Sequence, residues 1–257
     1  MARSPEIRIA QDSQAWTAAA AELVHSLGSE AIRARGRFLI ALSGGATPET
    51  LYRALTSPAF ADRFDWSRTT FFFGDERAVP PDDPRSNYAL ANRTLFTPLN
   101  ISSAQVYRMA GESRDPQAAA LEYEQQLRRA TNTAPSSNPT LDLVLLGLGE
   151  DGHTASLFPG SPALRDKQSL IAVTRSPKDP PTRLTMTFGA INRATVILFL
   201  VAGAGKAGVV RAILDPKTDA ERQLPASLVV PEKGRLIWLL DRAAAAELPN
   251  PSTGTSA

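Results

Sequence analysis

Six apolar runs punctuate the chain, at 37–42 (RFLIAL), 69–74 (TTFFFG), 141–147 (LDLVLLG), 170–174 (LIAVT), 195–202 (TVILFLVA) and 235–240 (RLIWLL). They are continuous rather than alternating, the pattern of strands buried on both faces of a parallel sheet. Residues 105–108 are a candidate for one more short strand. Helical segments fit between the runs. Asp12 or Ser13 can cap an Ala-rich helix that ends near Gly36, and Thr47-Pro48 reads as an N-cap followed by proline at the first helical position. Ser86 can cap a helix through Phe96, and Asp115-Pro116 opens one through Ala130. The alternation predicts an α/β fold with a mainly parallel central sheet, and right-handed crossovers put helices on both of its faces.

The stretch 131–140 (TNTAPSSNPT) is rich in Pro, Ser and Asn. As a linker it would split the chain in two. As a surface loop from helix to strand it would not, and this reading is preferred because the chemically interesting loops lie on both sides of it. The expectation is one α/β domain over residues 1–245, with 246–257 a disordered tail. At 257 residues and 43% hydrophobic content, the chain can build a core without metal or disulfide staples. It has no cysteine, which excludes a disulfide framework, a zinc-thiolate site and a cysteine nucleophile, and fits a reducing compartment.

The net charge is +2, from 28 Lys+Arg against 26 Asp+Glu, with no basic run of the kind a nucleic-acid binder shows. The N-terminal MARSPEIRIA lacks an apolar signal core, and the longest apolar run, 194–205, is too short to span a bilayer. A cytoplasmic protein without nucleic-acid or membrane partners is expected.

Ligands of open parallel sheets bind outside the carboxyl ends of the strands. Four loops there hold glycines and charges: 43–52 (SGGATPETLY), 74–88 (GDERAVPPDDPRSNY), 147–161 (GLGEDGHTASLFPGS) and 203–208 (GAGKAG). In the first, Gly44 and Gly45 let backbone N–H groups approach an anion at a helix start, with Ser43 and Thr47 as hydroxyl donors; an ordinary tight turn has the same look. Arg77, after Asp75-Glu76, can grip a phosphate with its planar fork or simply lie in a solvated turn.

GAGKAG matches a dinucleotide fingerprint, but it comes late and no second nucleotide-binding half follows it. Lys206 reads better as a cation at a helix start beside a phosphate, set against a solvated surface lysine. Only two histidines exist. His25 lies within the first helix, where a structural role fits. His153 lies in a glycine-rich loop beside Asp151, where an imidazole can take a proton from water. With one such histidine and no cysteine, a histidine-rich zinc site is implausible.

Together these stretches resemble the 6-phosphogluconolactonase family, in that family's order and over roughly residues 6 to 242. The resemblance implies a Rossmann-like α/β fold and hydrolysis of a phosphorylated sugar lactone in the oxidative pentose phosphate pathway, with no cofactor and no metal. It also implies site roles. Arg77 and Lys206 would hold the 6-phosphate with the N–H groups of Gly44 and Gly45. His153 would be the general base, with Asp151 or Asp75 orienting the imidazole or the water. Functional association with glucose-6-phosphate dehydrogenase, which makes the lactone, is left open.

Glucosamine-6-phosphate isomerases and deaminases are similar to this family and form the first alternative. Their loop carries an Asn-Glu pair shortly after the histidine, where this chain has Ser156-Leu157-Phe158-Pro159, and they usually carry Tyr at the position of Arg77. A non-catalytic sugar-phosphate sensor is the second alternative.

Overall fold

The computed structural model describes residues 4–133 and 137–249. Its strands are β1 (Glu6–Ala10), β2 (Phe38–Leu42), β3 (Thr69–Phe73), β4 (Asp75–Arg77), β5 (Leu143–Leu146), β6 (Ile171–Arg175), β7 (Thr182–Met186), β8 (Val196–Val201) and β9 (Arg235–Asp241). The α-helices are α1 (Ser13–Arg35), α2 (Ala46–Leu55), α3 (Asn87–Ala91), α4 (Pro116–Ala130), α5 (Phe188–Ile191), α6 (Ala207–Leu214) and α7 (Asp219–Arg222). Six strands form one all-parallel sheet in the order β1-β9-β8-β5-β2-β3. A smaller antiparallel sheet has the order β4-β7-β6.

Successive side chains of a strand point to opposite faces, so the continuous apolar runs serve two cores at once. Phe38, Ile40 and Leu42 of β2 pack with Leu143 and Leu145 against α1 and α2. Leu39 and Ala41 pack with Val144, Leu146 and Phe199 on the other face, under α4, α6 and the small sheet. Helix boundaries follow their capping residues. Asp12 Oδ1 accepts from Ala15 N at 2.8 Å, and Gly36, at φ 74°, closes α1 in the left-handed conformation. Asp115 caps α4 with Pro116 in its first turn.

Several expectations are corrected. The run 170–174 is β6 of the antiparallel sheet, only partly buried, because its neighbour β7 returns beside it as a hairpin partner. Thr47 is not an N-cap. Gly45, at φ 102° and ψ 173°, turns the chain earlier, in a conformation that a residue with a side chain avoids, so α2 starts at Ala46. Residues 105–108 contribute one bridge, Val106 to Phe71, and no strand. The helix through Phe96 is present, but Asn92–Phe96 widen into a π turn. The loop 131–140 joins α4 to β5, two elements of one core, and its residues 134–136 lie outside the described residues. Of the expected tail, 246–257, residues 250–257 also lie outside the described residues, whereas 246–249 are described and continue in turns, with Leu248 N donating to Ala245 O at 3.1 Å.

The chain leaves β2 towards β3 on one side, then returns to place β5 on the other. Between β2 and β5 the winding therefore reverses, and a crevice opens at the carboxyl ends of the strands. At Gly74 the chain passes from the large sheet to the small one: Gly74 N donates to Leu42 O at 2.9 Å, and Met186 N donates to Gly74 O at 2.7 Å. The small sheet thereby lies beside that crevice.

Candidate active site

A cleft of about 430 Å³ lies there, lined by the ends of β2, β4, β5, β7 and β8. That volume suits a small polar ligand. Ser43, Gly44, Gly45 and Thr47 reach it from the first loop, Asp75 and Arg77 from β4, His153 from the loop after β5 and Lys206 from the turn before α6. Among the described residues no side chain caps the start of α2, so the positive end of its backbone dipole is presented to the cleft.

β4 and its surroundings form one polar network. Asp75 is only 7% exposed. Its Oδ2 accepts from Ser156 Oγ at 2.6 Å and its Oδ1 from Asn87 Nδ2 at 3.1 Å. Asn87 turns its carbonyl oxygen to Arg77, whose Nη1 donates to it and also to Arg85 O at 2.6 Å. A neutral amide thus bridges the acid and the cation of the same strand.

Glu76, on the opposite side of β4, is buried and accepts from Ser86 Oγ and from the N–H groups of Arg77, Asn87 and Tyr88 at 2.7–2.9 Å. Burial pushes its carboxyl above the ordinary value, and these four donors pull against that shift. Arg183 on β7 stands directly across from Arg77 in the ladder and also lines the cleft. Burial first, and then the neighbouring Arg77 charge, holds the Arg183 guanidinium below its ordinary value.

The loop after β5 closes on itself. Gly149 N donates to His153 O at 2.8 Å, and Gly152, at φ 79°, donates to Gly149 O at 3.0 Å. This turn brings Asp151 Oδ1 onto His153 Nδ1, while the ring lies against Phe158 with centroids 4.7 Å apart. A side chain at Gly149 would overlap the pair, because a Cβ there would sit 2.0 Å from His153 Nδ1. Partial burial raises the Asp151 carboxyl, but hydrogen bonds from the His153 side chain and backbone outweigh it, so its pKa lies below the ordinary value. An ionised Asp151 keeps the imidazole proton on Nδ1 and leaves Nε2 as the basic nitrogen. Asp75 makes no hydrogen bond to His153 among the described residues; its partners are Asn87 and Ser156.

A sequence model described as glucosamine-6-phosphate isomerases/6-phosphogluconolactonase matches residues 11–238. The chain belongs to this family. It is 43% identical to a protein of Mycobacterium tuberculosis named 6-phosphogluconolactonase, covering 96% of this chain and 100% of that one. It is 39% identical to another of that name from a Nostoc species, covering 94% and 98%. The solved structure of 6-phosphogluconolactonase from Trypanosoma cruzi superposes with a TM-score of 0.81 at 28% identity, covering 96% of this chain and 98% of that one.

Among the residues expected from the sequence, Ser43, Gly44, Gly45, Thr47, Asp75, Arg77, His153 and Lys206 share this cleft. Asp151 lies just outside, in the adjoining groove, and reaches the cleft through His153. His25 is remote from it: Nε2 meets Arg63 O at 2.7 Å and the ring packs against Phe64. Arg183, Asn87 and Ser156 were not anticipated as site residues. The alternation in TRLTM (182–186) is the signal that marks β7 and turns Arg183 inward.

Gly44 has a sharp role. A Cβ at this position would fall 1.7 Å from Asn87 Oδ1, inside the amide that joins Asp75 to Arg77. Gly44→Ala is therefore expected to lower kcat/KM by about tenfold or more, since misplacement of site groups by roughly 1 Å is costly. Steady-state kinetics with a melting curve would check this, and wild-type kcat/KM in a folded variant would refute it.

Proposed function

We propose that the chain is a 6-phosphogluconolactonase, which hydrolyses 6-phospho-D-glucono-1,5-lactone to 6-phospho-D-gluconate. The observation that carries this reading is the joint presence, in one cleft, of a histidine paired with a carboxylate and of four cations, Arg77, Lys178, Arg183 and Lys206, beside an uncapped helix start. The phosphate is held by Arg77, Arg183 and Lys206 with the N–H groups of Gly44 and Gly45. His153 Nε2 takes a proton from water as the water oxygen attacks the lactone carbonyl carbon.

The resulting tetrahedral oxyanion collapses, the bond from carbon to ring oxygen breaks, and the imidazolium returns the proton to that oxygen as it leaves. Asp151 fixes the tautomer and balances the transient imidazolium charge. Asp75, with both oxygens engaged, shapes the floor of the cleft. The family also includes sugar-phosphate isomerases, but Ser156 and its successors carry no carboxylate where their acid network lies, which supports hydrolysis.

The same reading takes residues 1–245 as one α/β unit, supported by an apolar core that β6 and β7 share with the large sheet. It places the chain in the cytoplasm, in keeping with its lack of cysteine. No helix among the described residues is long and apolar enough to cross a membrane. The same proposal includes a functional association with glucose-6-phosphate dehydrogenase, since the product of that enzyme is this substrate.

The deciding experiment measures turnover of freshly generated 6-phosphogluconolactone, corrected for spontaneous hydrolysis. Ammonia release from glucosamine 6-phosphate is the competing outcome. Binding without either turnover would favour a sensor. Lys206→Ala is expected to raise KM about tenfold by removing one charge-assisted contact, and unphosphorylated gluconolactone should be a poor substrate. Equal efficiency on both lactones would remove the phosphate role from these cations.

A further inference from the structure

Two buried tyrosines lie just behind the loops of the cleft, and nothing in the catalytic sequence uses them. Tyr52, on the second turn of α2, is fully buried. Its hydroxyl donates to Ser43 O at 2.6 Å and accepts from Ser43 N at 3.1 Å. Tyr123 on α4 treats Phe73 in the same way, accepting from its N–H at 2.8 Å and donating to its carbonyl at 3.1 Å. Burial raises the pKa of both phenols, so both stay protonated and can donate.

Each hydroxyl therefore does what one residue of an adjacent strand would do, satisfying a backbone donor and acceptor together. The positions are informative. Pairing of β2 with β3 ends at Leu42, and with β5 at Ala41, so Ser43 is the first residue beyond the ladder. Phe73 is the last residue of edge strand β3 before Gly74 and Asp75.

We infer that Tyr52 is a positioning residue for the anion loop: its hydroxyl fixes where the chain leaves β2 and so aims the Gly44 and Gly45 amides into the cleft. The loop is a closed circuit, running from the strand end through Ser43, Gly44 and Gly45 into α2 and back to the strand end through the tyrosine. A serine backbone free at one end of that circuit would drift, and the amides beside it with it. Tyr123 is the matching device for the segment that carries Asp75 and Arg77. The inference rests on the proposed phosphate role of this loop.

Tyr52→Phe keeps the buried ring and removes only the oxygen. Inorganic phosphate is the binding probe, titrated calorimetrically. Its Kd and the KM for 6-phosphogluconolactone should both rise about tenfold, the cost of leaving a buried backbone pair unmatched, with kcat within about twofold. Amide exchange should quicken at residues 43–46, whereas Tyr123→Phe should leave exchange there unchanged.

An unchanged Kd, or a fall in kcat at constant KM as expected from a smaller folded fraction, would overturn the assignment. Melting curves fix that fraction. Added inorganic phosphate should also slow exchange at 43–46 in the unsubstituted protein, and no slowing would count against the loop without any variant. A chain that binds phosphate through this loop but turns over no lactone would sink the catalytic reading alone.

Discussion

Replacing His153 by alanine is expected to lower kcat by about 10²–10⁴-fold, the usual cost of losing a general base. KM should change far less, since Arg77 on β4, Arg183 on β7 and Lys206 before α6 belong to other elements and keep their places. The expectation follows from the geometry of the pair. The turn through Gly149 and Gly152 holds Asp151 against Nδ1 and frees the other nitrogen for the cleft. The Asp151 carboxyl is held below its ordinary value, so across the neutral range it stays ionised and in place against Nδ1. His25→Ala is the matched control and should leave kcat unchanged, because that ring packs on Phe64 far from the cleft loops. A folded His153→Ala variant with wild-type kcat, after subtraction of the spontaneous reaction, would remove the base from the mechanism.

The parallel sheet was legible because its strands are buried on both faces and so are apolar without interruption, as in LVLL and VILFLV. The same rule hid edge strand β1 of the large sheet and strands β4 and β7 of the small one. EIRIA and TRLTM alternate, and β4 consists of three charged residues that look like a turn until the pairing of Asp75 with Thr185 is seen. The loops after apolar strands led to the cleft because sheet topology alone puts them at one edge.

Contacts made across the sequence were not legible. Asn87 appears in the chain as part of a helix start capped by Ser86, and only folding sets its amide between Asp75 and Arg77. The uncertainty between Asp75 and Asp151 as partner of the imidazole was of the same kind. It turned on loop closure at Gly149, which no local pattern displays.

Arg183 offers the sharpest test of whether the cleft is built for an anion. Arg77 and Arg183 face each other in register across β4 and β7, a like-charge pair that destabilises a sheet. Arg183 is 7% exposed, and its Nε is buried without a hydrogen-bond partner among the described residues. Asp75, Glu76 and Asp179 offset part of this cost, yet the guanidinium still lies below its ordinary value, so its charge is carried at a loss in the folded state. An arginine keeps its charge throughout the neutral range, so the penalty is present under ordinary assay conditions.

Arg183→Met keeps most of the apolar stem and removes the charge. Its melting temperature without phosphate should equal or exceed that of the wild type. Its kcat/KM for 6-phosphogluconolactone should fall about 10²-fold or more, mainly through KM, as a buried charge-assisted contact to the substrate is lost. Added inorganic phosphate should raise the melting temperature of the wild type more than that of the variant. A guanidinium placed only for structure predicts the reverse pattern, a lower melting temperature with KM unchanged, and that result would take Arg183 out of the phosphate site.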